Sequence, residues 1–272
     1  MSIKNINNII VVILTIMVTV SSSCIKADNY AAPKETLKGT IYDSITGLPL
    51  QLDFNEARIE LLELSWTATT PTLNPFFYAN DSGYFNNTRL FKGFYNVNIS
   101  GPFVPINHKL WPAPNTDTTN NTPNITIEGV TVQNFVVASM LNIKWVTEPL
   151  YNASDNSVSA TVIITRGTSN PLYNKNPIKN INFYANEVPY PGDGNYDNRY
   201  TRIKAGFPAN ETIEIDGVVK PNVFEFGKPY IVKTAGKLTP RKWWFRVGAN
   251  TTRALPTGTP YNYSTIKMVE VK

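Results

Sequence analysis

Aromatic residues in polar, turn-rich stretches are the side chains of this sequence best suited to bind a ligand. Sugar rings expose C–H faces that stack on Trp and Tyr, while polar side chains satisfy the hydroxyl groups. Six aromatic residues have such surroundings: Trp111, Tyr190, Tyr196, Tyr200, Trp243 and Trp244. Neighbouring residues of a strand point to opposite faces, so one of Trp243 and Trp244 is expected in a core and the other at the surface. These residues predict carbohydrate binding, with packing in a core as the open alternative for each.

Residues suited to catalysis are scarce. The sequence has one histidine, His108, and one cysteine, Cys24, so a His-rich metal site cannot be built. A Ser-His-Asp triad would have to use His108, expected in an exposed loop, and no Gly-x-Ser-x-Gly elbow or Gly-rich phosphate loop accompanies it. Carboxylates stand mostly singly, at Glu60, Glu63, Glu211, Glu214 and Asp216. We therefore expect no enzyme activity and no cofactor, while a hidden carboxylate pair able to hydrolyse a glycosidic bond is the alternative.

A short acidic segment has part of the spacing of a calcium loop. Asp193, Asn195 and Asp197 occupy positions 1, 3 and 5 of an EF-hand pattern. That pattern requires Gly at its sixth position and Glu at its twelfth, where this chain has Asn198 and Lys204. The segment therefore predicts an Asx-type turn, and no metal is expected.

The N-terminus predicts export and a lipid anchor. Lys4 precedes an apolar run from Ile9 to Val20, and Ser21, two further serines and Cys24 follow. This pattern is typical of a secretory signal peptide, and the run is shorter than the roughly 20 residues that span a bilayer. The exit resembles the lipobox of bacterial lipoproteins, although Ser21 replaces the usual Leu. Cys24 is the predicted lipidation (palmitate) site, and an incidental cysteine beside an ordinary cleavable signal is the alternative.

Length and charge limit the classes of partner. The chain has 272 residues, of which 17% are charged, and a formal net charge of +5. Its basic residues are scattered, without the Lys/Arg cluster that follows a phosphate backbone, so no nucleic-acid partner is expected. No later segment is long and apolar enough to cross a membrane. The length suits two domains of ordinary size.

Short alternating segments separated by turn residues predict an all-β fold with two β-sandwich domains in tandem. The expected division is a signal peptide at 1–23, the lipidated cysteine and a tether at 24–36, and sandwiches at 37–138 and 139–272. Strands are expected at 37–43, 57–64, 95–99, 125–138, 141–146, 157–166, 181–185, 199–205, 211–216, 229–234, 242–247 and 265–271. Residues 57–64 also favour a helix, but the short length and neighbouring strands favour a strand. Trp66 and Trp145, beside or inside strands, are expected in the core. The spacing after residue 139 is typical of immunoglobulin or fibronectin type III sandwiches.

The start of the first sandwich carries a resemblance. Leu37–Leu50 combines Gly39-x-Ile41-x-Asp43 with Thr46-Gly47-Leu48-Pro49, and an Asp81-Ser82-Gly83-Tyr84-Phe85 turn follows. This pattern resembles carboxypeptidase-regulatory-like domains, which are prealbumin-like sandwiches that serve as spacers or binding modules. The resemblance implies a first domain without an active site.

As a whole, the chain resembles the Bacteroidetes lipoprotein family known as domain of unknown function 3823 (DUF3823). The lipobox cysteine, the Asp28-Asn29-Tyr30 segment and the two sandwiches carry this resemblance. It implies a lipid-anchored protein at the cell surface of the outer membrane, beside glycan importers and their substrate-binding lipoproteins. We therefore expect a non-catalytic glycan-binding or accessory component of a polysaccharide-uptake system. The alternatives are a structural or assembly subunit that contacts an outer-membrane protein, and a carbohydrate-active enzyme.

Overall fold

The computed structural model describes residues 32–65, 75–107, 117–205, 212–215, 218–221, 224–255 and 258–272. The regular secondary structure of these residues consists of β-strands, so the predicted all-β fold is confirmed. Within the same residues, no helix has the length and apolar character that crossing a membrane requires. The predicted signal peptide, Cys24, Trp66, His108 and Trp111 lie outside the described part of the chain.

The described residues of the first sandwich form ten strands: β1 (Glu35–Asp43), β2 (Arg58–Glu63), β3 (Phe76–Tyr78), β4 (Tyr84–Leu90), β5 (Gly93–Ser100), β6 (Ile106–Asn107), β7 (Asp117–Asn121), β8 (Asn124–Ile127), β9 (Val130–Val132) and β10 (Phe135–Val137). Strand β1 lies between antiparallel β4 and the parallel strands β9 and β10, and a second sheet has the order β3-β2-β5-β8. Buried and half-buried residues alternate along β1, as in a strand with one face on a core. Leu37 and Ile41 on β1 share that core with Ile59 and Leu61 on β2.

In the second sandwich, the part of the chain that the structure describes forms another ten strands: β11 (Leu141–Asn152), β12 (Ser157–Arg166), β13 (Ile178–Asn186), β14 (Arg202–Ala205), β15 (Thr212–Ile215), β16 (Val218–Pro221), β17 (Pro229–Lys233), β18 (Arg241–Thr251), β19 (Asn262–Tyr263) and β20 (Lys267–Val271). One sheet has the order β11-β12-β17, so β11 is an edge strand. The other has the order β14-β13-β18, with β19 and β20 both pairing with β18. Phe183, Trp243 and Phe245 lie in the core with Val162 and Ile164.

The strand predictions agree with this architecture apart from local differences. The segment 57–64 is strand β2, so the helical alternative is wrong. The strand expected at 199–205 begins at Arg202, because the N–H groups of Tyr200 and Thr201 both donate to the carbonyl of Asp197 and form a turn. Residues 34–272 form one compact unit, and its described residues contain two large hydrophobic cores and a small cluster of Tyr184, Tyr261 and Tyr263. The division between residues 138 and 139 stays a prediction.

Arg246 joins the two sandwiches through a buried polar contact. Although β18 directs Trp243 and Phe245 into the core, Arg246 lies on the opposite face of the strand and is only 1% exposed. Its Nη1 donates to the carbonyl of Leu52 in the first sandwich at 2.6 Å, and its Nε donates to the carbonyl of Ser264 at 2.9 Å. Its guanidinium carbon lies 4.2 Å from the centre of the Tyr263 ring.

Carboxylates of the first sandwich surround this arginine. Glu56 accepts hydrogen bonds from the N–H of Tyr261 and the hydroxyl of Tyr263, each at 3.2 Å. The neighbouring carboxylate, Asp53, accepts from the N–H of Gly194 at 2.8 Å. Burial raises the pKa of Glu56 to about 7, while hydrogen bonds from backbone N–H groups and the charge of Arg246 oppose the rise. The loop after β1 is thereby fixed against β18 and β19.

Candidate functional site

A groove of about 540 Å³ lies where the two sandwiches meet. Its lining residues come from 43–51 of the first sandwich and from 141–148 and 262–267 of the second. The volume falls within the range of roughly 300–1,000 Å³ that is usual for small-ligand sites. Because both sandwiches contribute walls, the groove depends on the buried contact around Arg246.

The turn after β1 forms the first wall and is held by Asp43. One oxygen of this carboxylate accepts hydrogen bonds from the N–H groups of Ile45 at 3.1 Å and Thr46 at 2.8 Å. The other accepts from the hydroxyl of Ser139, at 2.5 Å, where the chain enters the second sandwich. Gly47 adopts a φ of 66°, which favours glycine, and this explains the Thr-Gly-x-Pro pattern. The turn is therefore rigid, and the charge of Asp43 is satisfied within the protein.

Trp145 on β11 forms part of the second wall. Its indole packs edge-on against Phe183 of the core, with ring centres 6.4 Å apart. Its Nε1 donates to the carbonyl of Thr265 at 3.0 Å, so the ring cannot rotate freely. Trp145 is only half-buried, and its remaining surface lines the groove. A fixed aromatic ring at the wall of a groove can stack on an apolar ligand face.

Two amide side chains, those of Gln51 and Asn142, line the same groove as this ring. Gln51 donates through Nε2 to the carbonyl of Pro49 at 3.2 Å, and the side-chain oxygen of Asn142 lies 3.1 Å from the Ser139 hydroxyl, whose single proton it shares with Asp43. The remaining amide groups, Gln51 Oε1 and Asn142 Nδ2, have no hydrogen-bond partner among the described residues. One free acceptor and one free donor therefore line a groove that also has an aromatic wall.

Two of the aromatic residues predicted to bind sugar lie in the interior. Trp243 is fully buried, donates from Nε1 to the carbonyl of Thr239 at 2.9 Å, and packs edge-on against Tyr200 with ring centres 4.8 Å apart. Tyr200 is itself 9% exposed. Neither ring can stack on a ligand, so these two assignments are corrected. The alternation rule placed one of the two neighbouring tryptophans in the core, and Trp243 is that residue.

The other predicted aromatics are not brought together. Tyr196 is half-buried and packs against Tyr184, with ring centres 5.6 Å apart. Trp244 is half-buried, and Tyr190 is 59% exposed. None of these three residues lines the groove. Trp111 lies outside the described residues, so its assignment stays a prediction.

Trp145, which the sequence places in the core, does pack against the core of the second sandwich, but it is partly buried and its remaining surface lines the groove. The pairing of β11 with β12 shifts register between Trp145 and Thr147, which interrupts the regular strand beside the ring. Polar neighbours at Asn142, Lys144 and Glu148 were the available signal, because they mark β11 as a strand with one accessible side.

The side chains with partial calcium-loop spacing point to separate partners. Asp193 accepts from the hydroxyl of Tyr184 at 2.9 Å, whereas Asn195 accepts from the amide of Asn186 at 3.0 Å. Asp197 pairs with Arg199 at 2.6 Å, and hydrogen bonding to this arginine lowers the pKa of Asp197. Among the described residues, no three His, Cys, Asp or Glu side chains are grouped to hold a metal ion.

Two carboxylates share a second, smaller cavity of about 250 Å³, which Glu56 and Asp193 line together with Tyr261. A carboxyl whose pKa lies near neutrality is a candidate general acid. The oxygens of Glu56, however, accept hydrogen bonds from the N–H group of Asp53 within the first sandwich and from Tyr261 and Tyr263 of the second. The geometry gives Glu56 a structural role.

The sequence matches no protein-family model and no curated protein. Solved structures do resemble it. A DUF3823 family protein from Bacteroides uniformis is 26% identical with a TM-score of 0.72, over 88% of this chain and 100% of that chain. A DUF3823 family protein from Parabacteroides merdae is 16% identical with a TM-score of 0.59, over 88% of this chain and 100% of that chain. These likenesses confirm the resemblance to the family and the all-β sandwich fold.

Another Bacteroides uniformis protein shares this fold. It is described as a candidate carbohydrate binding protein and is 16% identical, with a TM-score of 0.62 over 88% of this chain and 99% of that chain. At this level of identity, the likeness shows the fold alone.

Proposed function

We propose that this chain, which resembles the DUF3823 proteins, is a non-catalytic carbohydrate-binding protein whose ligand lies in the groove beside Trp145. The observation that carries the proposal is a fixed, half-buried indole that lines the same groove as the amide groups of Gln51 and Asn142. Sugars need both kinds of contact, because each ring has apolar C–H faces and a rim of hydroxyl groups. The description of one structural neighbour as a candidate carbohydrate binding protein agrees with this proposal.

The hydrogen bonds and the ion pair of the carboxylates that line the groove support a non-catalytic role. Both acidic residues that line the groove are occupied, Asp43 by hydrogen bonds from Ile45, Thr46 and Ser139, and Glu148 by Lys267 at 2.6 Å. Glycoside hydrolysis requires one carboxyl as acid and a second as base or nucleophile. The enzyme alternative is tested by incubating each bound polysaccharide with the protein and assaying reducing ends. A steady release that exceeds the protein-free control would overturn the non-catalytic assignment.

The site of action in the proposal is the outer membrane. Acylation at Cys24 would anchor the chain, and the groove would present glycan to a neighbouring importer and its substrate-binding lipoprotein. Labelled palmitate should be incorporated into the wild-type chain and not into a Cys24→Ala variant expressed in a Bacteroides host. Labelling of both proteins, or of neither, would contradict the anchor.

Binding is tested by affinity electrophoresis of residues 25–272, which include the whole compact unit, in gels that contain plant, host or microbial polysaccharides. Trp145→Ala should weaken the retardation about tenfold, equivalent to ~1.4 kcal/mol of lost stacking and burial. Because Trp145 also contacts Phe183, Gln51→Ala serves as a second groove variant with less effect on packing. Tyr190→Ala is the matched aromatic control, since Tyr190 is exposed and lies outside the groove.

Retardation that is lost in both groove variants and kept in the control would support the site. Retardation lost only in Tyr190→Ala would move the site to the tyrosine-rich turn. The absence of retardation by every polysaccharide would overturn carbohydrate binding.

A specific surface supports the second candidate function, docking to another protein. On the outer face of the β11-β12-β17 sheet, Leu150 is 67% exposed and Ile231 is 72% exposed. The two residues flank β12, where Leu150 pairs with Ser159 and Ile231 pairs with Thr161. Exposed apolar groups on a flat sheet face suit a protein partner. This function would be favoured if the wild type crosslinked to an outer-membrane protein, if Ile231→Asp abolished that crosslink, and if the wild type bound no glycan.

A further inference from the structure

Four charged residues line the groove, and three of them are already satisfied. Asp43 is 3% exposed and receives hydrogen bonds from the turn and from Ser139. Lys267 and Glu148 neutralise each other in an ion pair of 2.6 Å. Lys144 remains, because it is exposed and forms no ion pair with any described residue. The four charges of the lining sum to zero, and Lys144 is the cation among them whose ammonium group has no described carboxylate as a direct partner.

Lys144 reaches the same groove as Trp145 because β11 is an edge strand. Adjacent residues of a strand point to opposite faces, so the two side chains leave β11 on different sides. Both nevertheless line the groove, which therefore runs past the free edge of the strand. A sugar stacked on the Trp145 ring would lie within the same cavity as the ammonium group of Lys144.

We propose that the ligand of the groove is an acidic glycan, with a uronic acid whose carboxylate is bound by Lys144. This inference rests on the proposed carbohydrate function and specifies its substrate class. A carboxylate on the sugar would pair with the free ammonium, while Gln51 and Asn142 would bind hydroxyl groups. With a neutral glycan, the exposed ammonium of Lys144 would stay hydrated and would add no charge-assisted hydrogen bond. The formal net charge, +5 for the full sequence and one less without Lys4 of the predicted signal peptide, would also favour approach of a polyanionic chain.

The test compares each uronic acid polymer with its own carboxyl-reduced form. Polygalacturonate and alginate are the probes, and the protein is the chain from residue 25 to 272. Lys144→Met should weaken binding to the acidic polymer about twofold to fivefold, which is the effect of one exposed ion pair. Lys144→Glu should weaken it further, and neither change should alter binding to the carboxyl-reduced polymer. Lys179→Met and Lys179→Glu are the matched controls, since Lys179 is exposed on β13 and does not line the groove.

Preference for an acidic polymer that depends on Lys144 and Trp145 would support the inference. Equal losses with the Lys144 and Lys179 variants would overturn it, because binding would then follow net charge alone. Equal binding of acidic and reduced polymers, or binding only of neutral polysaccharides, would also overturn it. If that neutral binding required Trp145, the proposed function would stand. Failure to bind any polysaccharide would overturn both.

Discussion

The Glu56→Gln variant tests the buried contact between the two sandwiches, because burial at that contact raises the proton affinity of the Glu56 carboxyl. Burial raises the pKa of Glu56 from its usual 4.5 to about 7, against the opposing effects of backbone hydrogen bonds and Arg246. The folded protein therefore keeps a proton that the unfolded chain has released. The state that binds more protons is favoured by acid, so this contribution to stability is complete below pH 4.5. It is lost as the pH rises through about 7.

The size of the effect follows from the two pKa values. Each tenfold change in proton affinity corresponds to ~1.4 kcal/mol. A pKa raised from 4.5 to about 7 therefore corresponds to about 3 kcal/mol of stability, which is present below pH 4.5 and is lost by about pH 8. Glu56 keeps partial exposure, so we take this value as an upper limit.

Urea unfolding of wild type and Glu56→Gln at a series of pH values between about 5 and 8 measures the effect. Glutamine stays neutral, so the stability of the wild type relative to the variant should fall by about 2–3 kcal/mol across this range. Glutamine also loses one acceptor oxygen, and that cost does not depend on pH. Asp155, whose pKa is lowered to about 2, titrates below the range, and His108 is present in both proteins. A stability difference that stayed constant with pH would refute the raised pKa of Glu56.

Two further substitutions test how the sandwiches are held together and packed. Arg246→Met should lower the free energy of unfolding by about 3–5 kcal/mol, because it leaves the Leu52 and Ser264 carbonyls without their donor and removes the cation beside Glu56. A loss below about 1 kcal/mol in urea unfolding would contradict this role. Trp243→Ala should cost about 3–5 kcal/mol, since a fully buried ring leaves a cavity. Its half-buried neighbour offers a matched control, because Trp244→Ala should lower the free energy of unfolding clearly less in the same assay. Equal losses of stability in the two variants would show that the assignment of faces on β18 is wrong.

The strands could be predicted because their side chains alternate along short segments. Val158, Ala160, Val162 and Ile164 all lie in one core, as their spacing in β12 indicates. The same rule required one of Trp243 and Trp244 to be buried. Phe245 and Val247 share the side of Trp243, so the spacing of these apolar residues could have identified which one.

The groove could not be predicted, because its walls are distant in sequence. The Thr46-Gly47-Leu48-Pro49 pattern predicted a turn, but its position opposite Trp145 depends on contacts such as that between Leu52 and Arg246. Periodicity describes single strands and gives no information on how two sheets meet. Strand membership alone also favoured burial for Trp145, whereas the register shift in β11 and its edge position leave the ring half-exposed.

The groove is fixed by hydrogen bonds that connect the sandwiches before any ligand binds. Asn262 lines the groove, donates to the carbonyl of Pro102 at 2.8 Å and accepts from the N–H of Leu141 at 2.9 Å. On the other side, Asp43 accepts from Ser139, so each wall is tied to the opposite sandwich. Little conformational entropy remains to be lost when a ligand binds to such a preformed site. A single stacked ring with a few polar contacts can therefore provide useful affinity. Because the contacts between the sandwiches preform the groove, their relative position matters as much for binding as the groove residues themselves.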